Sequence, residues 1–100
     1  MTPEAARAEY EAARTSLNRI ARSDDGTEDQ RMAAREARDA ITEAFIDAAI
    51  LNGEALSAQY ATFIAQMKRV VDDISGGSSI SDGLNTLQKV VARSTALLRS

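Results

Sequence analysis

The chain of 100 residues contains no cysteine and no histidine, and it has only one proline and five glycines. Without cysteine it has no disulfide, no thiolate metal site and no cysteine nucleophile. Without histidine it lacks the commonest metal ligand, the commonest general base and the usual pH switch. No glycine pattern typical of nucleotide binding occurs either. We therefore expect no metal, no cofactor and no enzymatic activity.

Alanine, by contrast, occupies nineteen positions, and only four residues are aromatic. Abundant alanine and scarce helix breakers favour an all-α fold. The length suffices for one domain with one hydrophobic core. We therefore predict a single helical domain that comprises residues 1–100.

Apolar residues recur at alternating steps of three and four along four segments of the chain. This spacing places one apolar stripe on each of four helices. The predicted helices span residues 3–22, 28–51, 54–74 and 80–98. Because the connections are short, the sequence predicts an antiparallel up-down four-helix bundle.

Three of the predicted helices begin with a capping signal, in which a side chain accepts hydrogen bonds from the first free amides. The three candidate pairs are Thr2 with Pro3, Thr27 with Gln30, and Ser79 with Asp82. Gly83 lies in the first turn of helix four and is expected to weaken that end.

The boundary between helices two and three has two readings. Asn52-Gly53 is a natural stop, because glycine adopts a positive φ without strain. The apolar stripe nearly continues through Asn52, however, so the two segments could also merge into one helix of about 70 Å. We expect the turn, because a compact monomer requires it.

Large apolar residues are distributed unevenly, with twenty of the twenty-five lying between positions 41 and 98. In helix two, Phe45, Ile46, Ala49 and Ile50 widen the apolar sector, so we expect its second half to be sandwiched between neighbours. Helix one has a thin, alanine-rich stripe and is expected to dock weakly. It either packs closely through alanine or gains stability from a partner or a second copy.

Helix two carries acidic residues at helical spacing on the side opposite its apolar stripe. This acidic stripe comprises Glu36, Asp39, Glu43 and Asp47. We expect it to be exposed. It is either an ordinary solvated face that arginines balance, or a surface that attracts a basic partner.

Helix three has no charged residue from position 55 to position 67, a segment we name the uncharged band. Exposed helices normally carry charges on their outer face. The outward residues of the uncharged band are Ser57, Ala58, Ala61, Thr62 and Ala65. We expect this face to pack on another helix of the same chain, the alternative being that it accepts a partner.

These features favour a non-enzymatic protein that binds another protein. By analogy of size and composition, a compact acidic bundle suits a small stoichiometric inhibitor, such as an immunity protein or a phage-encoded anti-defence protein. The alternative is a secretion or assembly chaperone, or a structural adaptor, that holds an apolar helix of its partner. The acidic stripe and the outward residues of the uncharged band are the candidate partner-binding residues, and self-association stays open.

Other partners and locations are disfavoured by the charge and hydropathy patterns. The formal net charge is −3, and no face gathers enough Lys and Arg to bind a phosphate backbone, so we expect no nucleic acid partner. No run of about twenty apolar residues predicts a membrane span. The first residues show neither the basic nor the apolar region of a signal peptide, so we expect a cytoplasmic location.

Overall fold

The computed structural model describes residues 1–75 and 82–99, and these residues form four helices. They are α1 (Pro3–Ala21), α2 (Glu28–Ala48), α3 (Gly53–Ser75) and α4 (Asp82–Arg99). Helix α1 packs on α2 and α4, and α3 packs on the same two helices, so the four form a closed ring around one core. The predicted all-α four-helix bundle is confirmed.

Side-chain contacts show that neighbouring helices are antiparallel. Gln30, near the start of α2, donates to the carbonyl of Ile74 near the end of α3. Glu9, in the first half of α1, pairs with Arg93 in the second half of α4. The bundle therefore has the up-down-up-down topology that the short connections predict.

Two of the three predicted caps are present. The Thr2 hydroxyl accepts a hydrogen bond from the Ala5 amide at 3.2 Å. Thr27 and Gln30 form a reciprocal capping box. The Gln30 amide donates to the Thr27 hydroxyl at 3.2 Å, and the Thr27 amide donates to the Gln30 side-chain oxygen at 2.8 Å. The third pair includes Ser79, which lies outside the described residues.

A turn separates α2 from α3, so the merged-helix alternative is wrong. Helix α2 ends at Ala48, three residues earlier than predicted, because the chain tightens there. The amides of Ala49 and Ile50 bond to carbonyls only three residues back. Gly53 then adopts a φ of +57°, a conformation that glycine accepts at no steric cost.

Helix α1 buries three large side chains and four small ones against its neighbours. Its buried residues include Tyr10, Leu17 and Ile20, and the other four are Ala6, Ala13, Ser16 and Ala21. Short side chains let neighbouring backbones approach closely. Gly83 of α4 belongs to the same contact, since a Cβ there would lie 2.9 Å from the carbonyl oxygen of Ser16. This close approach agrees with the first of the two readings of helix one, and the second, stability from a partner or a second copy, stays a prediction.

The core holds an aromatic cluster at the end of the bundle where α1 and α3 begin. Tyr10 lies edge-on to both Phe63 and Tyr60, with ring centroids 4.6 Å and 5.6 Å apart. The Tyr60 hydroxyl donates to Ser94, and the Tyr10 hydroxyl donates to Gln59. Each phenol therefore has a polar partner, as buried hydroxyl groups require.

The prediction that the second half of helix two is sandwiched is wrong. Ile41 and Ala48 are buried, but Ile46 is 63% exposed and Ile50 is 82% exposed. A helix in a ring of four has only two adjacent helices, here α1 and α3. Together they cover the side of α2 that carries Ile41 and leave its outer side uncovered.

Candidate functional site

All four residues of the acidic stripe are exposed. Asp39 pairs with its neighbour Arg38 at 3.3 Å, and Arg38 in turn reaches Asn18 of α1. Arg35 pairs with Glu28 at 3.8 Å, and Glu28 is not part of the acidic stripe. Among the described residues, no ion pair within 4.0 Å involves Glu36, Glu43 or Asp47.

The acidic stripe and the uncharged band meet at the groove between α2 and α3. Glu43 and Asp47 line one side of this shallow groove, and Thr62 lines the other. Helix α3 adds Gln59 and Gln66, two amides that the sequence pattern did not mark as site residues. The groove thus has carboxylates on one wall and neutral polar groups on the other.

Glu36 and Asp39 lie away from this part of the groove. Glu36 lines a second depression between the same two helices, together with Arg69 and Asp73 of α3. Asp39 points outward, next to Arg38. The four acidic residues lie at helical spacing in the sequence, but in the structure they have three different surroundings. Glu43 and Asp47 line the groove, Glu36 lines the second depression, and Asp39 lies next to Arg38.

The outward residues of the uncharged band are mostly exposed, so the expectation that they pack on another helix of the chain is wrong. Ala58, Ala61, Thr62 and Ala65 are exposed, and Ser57 is half-buried. Helices α2 and α4 flank α3 on its two sides and leave this face uncovered. The Thr62 hydroxyl donates to a carbonyl of its own helix, as exposed helical threonines commonly do.

Two exposed isoleucines, Ile46 and Ile50, lie next to the acidic stripe, and we name them the isoleucine patch. The spacing of Asp39, Glu43 and Ile46 is four and three residues, which places them along one side of α2, and Ile50 follows in the turn after the helix. The sequence had assigned these isoleucines to the core. Periodicity alone does not reveal how many sides of a helix are covered.

On the side facing α1, the surface next to the isoleucine patch is aromatic and basic. The guanidinium groups of Arg7 and Arg14 lie 4.7 Å and 5.7 Å from the ring centroid of half-buried Phe45. These are cation–π distances. The charge of the surface therefore changes sign across α2, from arginines on the α1 side to carboxylates on the α3 side.

The groove is connected to the core through Gln59. Its side-chain oxygen accepts the hydrogen bond of the Tyr10 hydroxyl at 3.0 Å, while the residue also lines the groove. Burial, with smaller contributions from Tyr60 and Asp47, raises the pKa of Tyr10 to about 12. Tyr10 is thus a neutral, packed phenol at physiological pH and contributes no charge to the groove.

In the described ranges, no three side chains of the types that ligate metals come together in a possible metal site. None of the helices within those ranges combines the length and the apolar character needed to cross a bilayer. In comparisons with family models, with curated proteins and with solved structures, no match to this chain was found.

Proposed function

We propose that the protein is a non-enzymatic, cytoplasmic protein-binding module that acts as a small stoichiometric inhibitor. In this proposal the outer side of α2 covers a functional surface of the partner. Immunity proteins and phage-encoded anti-defence proteins act in this general way, and the comparison with them rests on size and composition.

The observation that carries the proposal is the position of the isoleucine patch next to the acidic stripe. Ile46 lies in the last turn of α2 and Ile50 in the turn directly after it, and both are more than half exposed. Grouped apolar side chains rimmed by polar residues are typical of protein interfaces. Full burial of an isoleucine contributes roughly 1.5–3 kcal/mol, so covering both would stabilise a complex substantially.

The two parts of the surface would have different roles in binding. The carboxylates of Asp39, Glu43 and Asp47 create a negative field, which attracts a basic partner and speeds association. The isoleucine patch loses its contact with water only in the bound state, so it slows dissociation. Because the carboxylates act on association and the isoleucines on dissociation, added salt should reduce the association rate and leave the dissociation rate nearly unchanged.

The test is affinity capture of the partner from the cells that produce the protein, followed by binding kinetics with the purified partner. Reversing the charge of Asp39 and Glu43 to lysine should slow association about tenfold or more at low salt. Glu11→Lys is the control, because it reverses the charge of one exposed residue on α1, away from the acidic stripe. Unchanged binding after the double reversal would eliminate the role of the acidic stripe.

A second candidate function is supported by the exposure of the uncharged band. A face of Ala58, Ala61 and Ala65 without charges could hold an apolar helix of a partner, as in a secretion or assembly chaperone or a structural adaptor. Complex formation through this face should hardly respond to salt. Ala61→Glu should abolish it, whereas the same substitution should leave binding through the outer side of α2 intact.

A further inference from the structure

We infer that the segment bound by the isoleucine patch is an amphipathic helix with basic residues beside its apolar anchors. This inference rests on the proposed protein-binding function and adds the chemistry of the partner. The relevant surface extends along the outer side of α2 from Asp39 to Asp47 and continues to Ile50 in the turn that follows the helix. Its helical part is about 12 Å long, which corresponds to about two turns of a docked helix.

The shape of the surface favours a helix as the occupant. Ile46 is exposed on the last turn of α2 and Ile50 is exposed in the turn that follows it, and neither side chain lies in a pocket that would enclose a small molecule. A helix laid along the end of α2 and this turn offers apolar residues spaced three or four positions apart to both isoleucines. Side chains at that spacing meet across packed helices as ridges and grooves.

The charges around the isoleucine patch fix which residues the partner helix must carry. Glu43 and Asp47 border the patch on the side of the α2–α3 groove and have no ion pair among the described residues. Lysine or arginine residues beside the apolar anchors would reach these two carboxylates. On the opposite side, Arg7 and Arg14 lie over Phe45 and repel a second basic row. The basic residues of the partner therefore lie on one flank of its apolar stripe.

A second copy of the chain suits the surface less well than a basic helix does. Two copies paired antiparallel through the outer sides of α2 would bring their acidic stripes together. Arg35, an exposed arginine on this helix, already lies near Glu28. Like charges across an interface oppose association, so the charge pattern favours a foreign basic segment.

The experiment measures binding of two synthetic peptides to the full chain by fluorescence anisotropy. The first peptide, about 18 residues long, carries leucines at helical spacing with lysines on one flank of the stripe. The second has the same composition in a scrambled order, so it keeps the charge and loses the amphipathic face. Backbone chemical shifts of the protein locate the contact, and sedimentation measures self-association.

The variants separate the roles of the two surfaces. Ile46→Asp should weaken binding of the amphipathic peptide about tenfold or more, because burial of one isoleucine is lost. Met32→Asp is the matched control, since Met32 is also an exposed apolar residue of α2 but lies about 21 Å along the helix from Ile46. Ile46 and Met32 are both exposed, so these two substitutions should leave folding intact.

The amphipathic peptide is expected to bind at least about tenfold more tightly than the scrambled one, with shift changes along the outer side of α2. Equal binding of both peptides would overturn the inference, because charge alone would explain it. Self-association that Ile46→Asp abolishes would overturn it in favour of a second copy. If neither peptide binds while Ile46→Asp still prevents capture of the cellular partner, the inference fails and the proposed function stands. If capture is also unaffected, both fail.

Discussion

The Tyr60 hydroxyl donates a hydrogen bond to Ser94 Oγ at 2.9 Å, and both side chains are fully buried. Ser94 occupies a position on the apolar stripe of α4, where a hydroxyl would be costly without a partner. The bond links α3 to α4 within the aromatic cluster. It explains why a serine is tolerated at this core position and gives the core a polar group sensitive to alkaline pH.

The two buried tyrosines should make the fold sensitive to high pH. Burial raises the pKa of Tyr10 and of Tyr60 to about 12, from an ordinary value of 10.0. The unfolded chain releases these protons near pH 10, whereas the folded chain retains them. The free energy of unfolding should therefore fall between pH 10 and pH 12, by roughly 2–3 kcal/mol per tyrosine.

Denaturant unfolding at several pH values measures this dependence. The double variant Tyr10→Phe and Tyr60→Phe should be less stable at neutral pH, because one buried and one partly buried hydrogen bond are lost, but its stability should decline less above pH 10. If the free energy of unfolding falls equally with pH in the variant and in the parent chain, the two phenols are not the cause of the pH dependence.

Gly83→Ala should destabilise the protein despite the better helix propensity of alanine. The added Cβ would lie 2.9 Å from the Ser16 carbonyl oxygen and 3.0 Å from side-chain carbons of Arg19 and Ile20. Alanine gains about 1 kcal/mol in propensity, while forced separation of packed helices costs typically 1–3 kcal/mol. Because one of the contacts is backbone, we expect a net loss. Thermal unfolding should show a lower Tm, while the control Asn85→Ala, at an exposed position of α4, should raise it slightly.

Two isoleucines of the same helix should respond oppositely to substitution. Ile41 is fully buried, so Ile41→Ala should cost about 2–5 kcal/mol of unfolding free energy. Ile46 is largely exposed, so Ile46→Ala should change stability by no more than about 0.5 kcal/mol. Urea unfolding of the two variants makes the comparison, and a large loss for Ile46→Ala would mean that this side chain serves the core.

Although its alanine-rich stripe suggested weak docking, helix α1 should be as well protected from amide exchange as the rest of the bundle. It buries Tyr10, Leu17 and Ile20 and contacts both α2 and α4. Hydrogen exchange of a dilute monomer should therefore show strong protection across residues 8–20. Weak protection there, restored by a partner or by higher protein concentration, would instead support the reading in which α1 needs a second molecule.

The sequence was a good guide wherever the signal was local. The hydroxyls of Thr2 and Thr27 mark helix starts because they bond amides three residues away. Gly53 marks the turn because its backbone needs a positive φ. Periodicity also identified the buried stripes, since each helix buries one side against the ring.

The surfaces were harder to predict, because exposure depends on neighbours that are distant in sequence. Ile46 and Ile50 follow the apolar pattern of α2 but lie beyond the reach of α1 and α3. The outward residues of the uncharged band were expected to be buried against another helix, because the sequence does not show which faces of α3 its neighbours reach. The position of Gly83 against Ser16 likewise follows from how α1 and α4 cross, which no local pattern encodes.

Site-specific photo-crosslinking from the outer side of α2 tests the binding surface most directly. A photoreactive residue replaces Ile46 in one variant and Ala92, an exposed residue of α4, in the control. In the cells that produce the protein, position 46 should give one discrete crosslinked product, which Glu43→Lys reduces, and position 92 should give none. The absence of a product at position 46, or identical products at both positions, would contradict a binding surface on α2.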